Sequence, residues 1–380
     1  MLEVEKTMIY FDNASTTKTT HEVNDVILSS LENDFYNPSS LHTPGLEVRK
    51  KIEKTRAHIL ELLDGSEFGL VITGSATEAN NMALAQSTRG KILVGAGEHP
   101  SVLEKAKQMK AAGRDVEFIP LNSNGEVDLL AFEDMLSSDV TLVSVQMVSN
   151  ETGAVNDIAK IAEMVHKKCP RAFVHSDLVQ AVGKIDVSLD SLGVDFASIS
   201  AHKIHGPKGI GAFAFKKSKR VLPLIVGGGQ EMGLRSGTEN VPQILGFEKA
   251  LEFAVSDLER ASKAATDINN ALIAAFKKAG LVFHVNGNGS PFVLSVGFDG
   301  VRGETLMHAL ETDGILVSTG SACSSKKVGN HTLEAMGQTK DQILENIRIS
   351  FGHDKVSDED VKFVAEAIIK NVKSLRKEKK

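Results

Sequence analysis

Between residues 70 and 215 the chain carries seven short β-like runs separated by helical stretches, and that alternation decides the fold class. The runs are Leu70–Thr73, Ile92–Gly95, Val116–Pro120, Thr141–Val148, Ala172–His175, Phe196–Ser200 and Gly211–Phe215. Strands alternating with helices predict a mainly parallel sheet with helices on both faces, an α/β architecture. In open sheets of this kind ligands collect at the carboxyl ends of the strands, so the residues just after each run are the first candidates for chemistry.

Past the last of these runs the pattern changes. From Gly246 to Ala279 apolar residues recur at helical spacing (Ala250, Leu251, Ala254, Leu258 and on to Phe276), which predicts a long helix or a helix pair leaving the first domain. Residues 16–255 then form a large domain, and residues 1–15 with 256–380 a smaller α+β domain. In the latter, Phe292–Phe298 and Ile315–Ser318 read as strands, and Gly303–Asp313 and Asp358–Ser374 as helices. The terminal Leu375–Lys380 is expected to fray. No fixed-period repeat or low-complexity tract interrupts this order.

Composition excludes whole classes of function. The 380 residues are 42% hydrophobic and 24% charged, which suits a globular protein of about two domains. A formal net charge of -6 gives no electrostatic reason to expect a nucleic-acid partner, and no apolar run reaches the roughly 18 residues that a membrane span needs. The acidic N-terminal stretch lacks the apolar core of a secretory signal. Together with only two cysteines, Cys169 and Cys323, this predicts a cytoplasmic protein with small ligands.

The segment S-A-H-K-I-H-G-P-K-G drops Lys203 between two histidines at the end of a buried-looking strand. Desolvation in a crevice disfavours the ammonium form, which frees the amine to attack an aldehyde as a Schiff-base lysine. Pyridoxal phosphate is the cofactor that such a lysine serves. The other strand ends agree. After Thr73 comes the small-residue turn G-S-A-T-E-A-N-N, whose helix N-terminus would hold a phosphate, with Thr77 adding a hydroxyl. Ser200 and His202 beside the lysine supply further phosphate donors. His99, after the second run, can stack on a pyridine ring and shuttle a proton. Asp177, after the fifth, can hold a protonated pyridine nitrogen, although an aspartate there is also a common helix cap. His202 and His205 could instead ligate a metal, but no acidic or cysteine ligand shares their segment, and no metal is expected. Lys208 reads as a surface turn residue.

Of the two cysteines, Cys169 before Pro170 reads as a small apolar filler. Cys323 lies in S-T-G-S-A-C-S-S-K-K, nearly all small polar residues, which predicts an exposed loop carrying an accessible thiol suited to picking up and delivering sulfur.

With these residues laid out, the chain resembles the cysteine desulfurases of the NifS/IscS type, pyridoxal phosphate enzymes of fold type I, the aspartate aminotransferase fold. The likeness runs nearly full length: Y-F-D-N-A-S-T-T from Tyr10, N-P-S-S-L-H-T-P-G from Asn37, then E-H-P-S-V, N-E-T-G, H-S-D-L-V-Q-A-V-G-K, the Lys203 segment, G-G-G-Q-E-M-G-L-R-S-G-T-E-N-V, the Cys323 segment and I-R-I-S-F-G from Ile347. The resemblance implies that Lys203 is the Schiff-base lysine, Asp177 the pyridinium partner, His99 the ring-stacking acid/base and Gln180 a partner of the phenolic oxygen. It implies that Ala76, Thr77, Ser200 and His202 hold the phosphate, with Thr238 reaching in from the second subunit of a homodimer. Asn150 and Arg348 would bind the carboxylate of L-cysteine, and Cys323 would carry the sulfur as a persulfide toward an acceptor such as an iron–sulfur scaffold protein or a tRNA-thiolation relay. Selenocysteine lyase, or another lyase or aminotransferase on this scaffold, is the alternative. The family usually shows Asp-Ala-x-Gln where this chain has Asp177-Leu178-Val179-Gln180, and Ser-Gly-Ala-Thr where it has Gly74-Ser75-Ala76-Thr77.

Overall fold

Residues 8–287, 289–320 and 330–377 are described by the structure, a computed structural model. The chain enters through a short strand β1 (Ile9–Tyr10) and two helices, α1 (His21–Asn33) and α2 (Thr43–Leu62). Alternation then begins: β2 (Phe68–Thr73), α3 (Ala76–Ala85), β3 (Lys91–Gly95), α4 (Pro100–Ala111), β4 (Val116–Ile119), α5 (Leu129–Met135), β5 (Val140–Ser144), α6 (Ile158–Lys168), β6 (Phe173–Asp177), β7 (Phe196–Ser200) and β8 (Gly211–Lys216).

These seven strands, β2 to β8, form one sheet in the order β2-β8-β7-β6-β5-β3-β4. The strands from β7 across to β4 run parallel, whereas β8 lies antiparallel to both β7 and β2. The reason is local: residues 201–210 between β7 and β8 hold only a 3-10 turn at Ala201–Lys203, too little chain for a helical crossover, so the strand folds straight back. Every residue of β7 is buried, as a strand covered by helices on both faces requires.

The remaining elements are α7 (Val241–Ser256), α8 (Leu258–Lys278), β9 (Phe283–Asn286), β10 (Val293–Phe298), α9 (Gly303–Thr312), β11 (Ile315–Leu316), α10 (His331–Ala335), α11 (Lys340–Glu345), β12 (Asn346–Ser350) and α12 (Asp358–Lys377). Strands β12, β10 and β9 make an antiparallel sheet. Phe276, Phe292, Phe298, Ile347 and Ile349 pack into a core of their own there, distinct from the core of the large sheet. The first residues of the chain join this second body, because β1 pairs with β11 and Phe11 is buried in its core. Asp12 to Thr17 are thereby delivered to the seam between the two.

Of the two forms expected for the apolar stretch after Gly246, the structure has the helix pair: α7 and α8 meet at Asp257, which caps α7 while its carboxylate pairs with Arg260 and His353. Two sequence-based expectations are corrected. The fourth run ends as strand at Ser144, although Val145 and Met147 still donate to the carbonyls of His175 and Asp177. Leu375 and Arg376 are not frayed but lie within α12, where Arg376 donates to the carbonyls of Asp299 and Val282 at 2.8 and 2.7 Å.

Candidate active site

A cavity of about 440 Å3 opens at the carboxyl ends of the parallel strands, within the range of small-molecule sites. Its walls carry Ala76, Thr77, His99, Asn150, Asp177, Gln180, Ser200, His202, Lys203 and Arg348. Two sequence candidates are not among them. Thr238 is exposed on the surface, three residues after Arg235, whose guanidinium pairs with Glu78 in the first turn of α3. Cys323 lies outside the described residues, although Ser318 and Gly320 just before it line the cavity.

Lys203 sits on the 3-10 turn that follows β7. Its Nζ donates to the carbonyls of Ala14 and Ser15, both at 2.6 Å, and among the described residues no carboxylate bonds to it. Burial, helped by the neighbouring Arg348 charge, pushes the amine down to about 8, against the pull of Asp12, Asp177 and Glu151. Close by, the buried Lys184 donates to Gln180 Oε1 and is pushed to about 7, again chiefly by desolvation. That bond orients the Gln180 amide, whose Nε2 donates to Ala14 O at 2.9 Å.

At the opposite wall β6 ends on Asp177. Its Oδ1 accepts from Val179 N at 2.9 Å, the local turn bond expected of an aspartate there, and its Oδ2 accepts from Asn80 Nδ2 at 2.7 Å. Leu178, the departure from the family pattern, is buried in the main core and points away from the cavity; Val179 lines it instead. His99 caps α4, and burial lowers its proton affinity. At the third wall Ser75 caps α3, leaving the backbone N–H groups of Ala76 and Thr77 near Ser200 and His202. Burial and the Lys203 charge push His202 down to about 4, so it lines the cavity as a neutral imidazole able to donate to an anion.

Arg348 on β12 closes the site. Its Nη2 donates to Ser15 Oγ at 2.7 Å and pairs with Asp12 at 3.0 Å, while Nη1 donates to Asn150 O at 3.0 Å and reaches Glu151 at 3.4 Å. Two carboxylates thus hold the guanidinium in one plane.

A family model described as aminotransferase class-V matches residues 9–364. The chain belongs to the class-V aminotransferase family. Cysteine desulfurase IscS 1 of Archaeoglobus fulgidus is 37% identical to it, over 97% of this chain and 98% of its own. A NifS-like protein of known structure matches with a TM-score of 0.88 at 35% identity, covering 96% of this chain and 98% of that one. The NifS-like protein from Rickettsia africae matches at 0.86 and 31%, covering 97% and 99%.

Pyridoxal phosphate is the cofactor of this family, and the walls fit it. A helix N-terminus with neutral donors suits its phosphate, Asp177 suits its ring nitrogen, and the amine of Lys203 makes no carboxylate bond among the described residues. Asn80 Oδ1 is buried at the same wall with no hydrogen-bond partner among the described residues, as expected where a ligand completes the site.

Sequence reasoning missed Asn80, Ser101, Asp12, Glu151 and Lys184. Asp12 belongs to the F-D-N-A-S motif, which is the signal that would have found it, whereas Asn80, one helical turn after Ala76, is told apart from its neighbour Asn81 only by its burial.

Proposed function

We propose that this class-V enzyme is a cysteine desulfurase that converts L-cysteine to L-alanine and passes the sulfur to Cys323 as a persulfide, for iron–sulfur cluster or thio-cofactor synthesis. The reaction balances without an outside oxidant. The Cβ–S bond of the substrate breaks, an S–S bond forms at Cys323 Sγ, the reduced carbon keeps its electrons as a methyl group, and the protein thiol becomes –S–SH. The observation that carries the reading is the convergence of the depressed amine of Lys203, the carboxylate of Asp177 and the guanidinium of Arg348 on one cavity.

Pyridoxal phosphate, when bound, supplies the electron sink that lets an amino acid lose its Cα proton. Every other task falls to the chain. Lys203 Nζ, near neutrality by burial, accepts that proton and returns it during formation of alanine. Arg348 and Asn150 hold the substrate carboxylate, with Asp12 and Glu151 fixing the guanidinium. Asp177 would hold a proton on the cofactor's ring nitrogen. Cys323 lies three positions after Gly320 at the cavity wall, a reach of at most about 10 Å.

A homodimer is part of the proposal. Leu31, Phe35 and Leu41 are 57%, 70% and 85% exposed, and Val226 and Met232 form a second apolar surface close to Thr238, which would reach the partner's site from there. A sulfur-acceptor protein and a cytoplasmic setting, favoured by a composition of only two cysteines, complete it.

The deciding experiment incubates the holoenzyme with L-cysteine and measures alanine together with the mass of the Cys323 peptide. Stoichiometric alanine and a gain of one sulfur atom on Cys323, both abolished by Lys203→Ala, support the reading. Sulfide release that persists in Cys323→Ala at the wild-type rate refutes it in favour of a lyase that needs no protein thiol.

A further inference from the structure

The donor and acceptor directions around His99 can be fixed atom by atom. Its Nδ1 lies 3.1 Å from the backbone N of Ser101 in the first turn of α4. A backbone N–H only donates, so Nδ1 presents its lone pair and carries no hydrogen. Ser101 Oγ sits 2.7 Å from the same nitrogen and, facing a lone pair, gives its hydroxyl hydrogen to it. Asn80 sets the next link. Its Nδ2 is 2.7 Å from Asp177 Oδ2, a carboxylate oxygen that accepts, so the atom there is the amide nitrogen. The second hydrogen of that NH2 group goes to Ser101 Oγ at 2.8 Å. Asn80 and Ser101 are both buried, so the chain of bonds runs out of bulk water and each member fixes the next.

We propose that Asn80 and Ser101 are positioning residues that lock His99 in its neutral Nε2–H tautomer, joined by one directed chain of hydrogen bonds to Asp177. Nε2 then already holds its proton, and His99 presents a flat ring and a hydrogen-bond donor to the cavity. It acts as no base there, because a further proton enters only at Nδ1 and must displace both bonds from Ser101. The surrounding charges agree. Burial is the largest influence and disfavours the imidazolium, Lys203 and His331 add to it, and Asp177 and Glu151 oppose it without prevailing. Base chemistry at this site is thereby left to Lys203.

The inference rests on the reading of the cavity as a pyridoxal phosphate site, but its test does not depend on turnover. Two-bond proton–nitrogen correlations of the 15N-histidine-labelled holoenzyme read the tautomer directly, with the His99 signals identified as those lost in His99→Gln. The wild type should show the Nε2–H pattern unchanged from roughly pH 5 to 8, the range in which an ordinary histidine titrates. Ser101→Ala should raise the protonation midpoint of His99 by about one pH unit. Ser101→Thr, which keeps a hydroxyl, should restore it. A proton on Nδ1 in the wild type overturns the proposal, and so does a Ser101→Ala titration that matches the wild type. Should Ser101→Ala fail to fold, the wild-type spectrum decides alone. Loss of alanine formation with the tautomer intact would count against the desulfurase reading and leave this one standing.

Discussion

At the scale of single residues the site is shaped by cations held out of water. The role proposed for Lys203 gives its depressed proton affinity a chemical use, whereas Lys184 does not touch the cavity, and its one described acceptor is the neutral amide oxygen of Gln180. Its pH dependence follows. With a folded-state value of about 7 against roughly 10.4 in the unfolded chain, the unfolded state binds the extra proton across that interval. Stability therefore rises as the pH climbs from about 7 to about 10 and is lost again as it falls back. Replacing Lys184 with Met removes the titrating group while filling a similar volume. Thermal melts should show the wild-type Tm climbing through this window and the Lys184→Met curve climbing less, so that the two differ most at neutral pH. Parallel curves would show that Lys184 is not a buried charge. The same change leaves Gln180 Oε1 without its donor, and the amide that faces the cavity should bind pyridoxal phosphate less tightly.

Among the elements, β8 and α3 meet beside the proposed phosphate end of the cavity, and Gly211 lies in that contact. A Cβ there would lie 2.7 Å from Ile199 O, 2.7 Å from Ser75 C and 2.8 Å from Ala76 N, all backbone atoms that cannot swing aside. Gly211→Ala must push the first turn of α3 away from β7. We expect at least about a tenfold rise in the dissociation constant for pyridoxal phosphate, equivalent to about 1.4 kcal/mol, measured by titrating the apoenzyme. An unchanged constant would mean that α3 is not the phosphate support. This packing also marks what sequence could and could not tell. The bounds of Phe196–Ser200 are the same in sequence and structure, because a short uncharged run of small and apolar residues, closed by Asp195 on one side and the A-H-K turn on the other, suits a strand buried on both faces. Lys203, Asp177, His99 and Thr77 were legible because a reactive residue type coincided with a strand end. Asn80 was not: it stands beside Asn81 in a helix, and only the third dimension shows the first wholly buried against Asp177 and the second bonded back to Thr77 O. A helix pair was one of the two forms expected after Gly246, but the position of its break was not legible, since periodicity carries on across Asp257 and the pairing that marks it is with the distant His353.

On the scale of the whole molecule, the exposed apolar side chains and the position of Thr238 ask for the same explanation. Leu28, Leu31 and Phe35 stand on or just after α1, and Leu41 follows within the next loop, all well exposed. A second apolar group, Leu224, Ile225, Val226 and Met232, precedes Thr238 on a segment tied to α3 through the Arg235–Glu78 pair. One isologous interface covering both groups would bury them and set Thr238 against the partner's cavity, completing a phosphate site that each chain builds only in part. Sedimentation of the holoenzyme should then give twice the chain mass. The double variant Leu31→Glu with Phe35→Glu places two like charges on the interface of each copy and should sediment as a monomer. Because it removes Thr238 from the opposite site without touching any cavity residue, the monomer should also lose pyridoxal phosphate about tenfold more readily on dialysis. Thr238→Ala should weaken retention in the same direction while leaving the dimer intact. A variant that stays dimeric would exclude this face as the interface, and a monomer that retains the cofactor as firmly as wild type would show that each chain holds its phosphate alone.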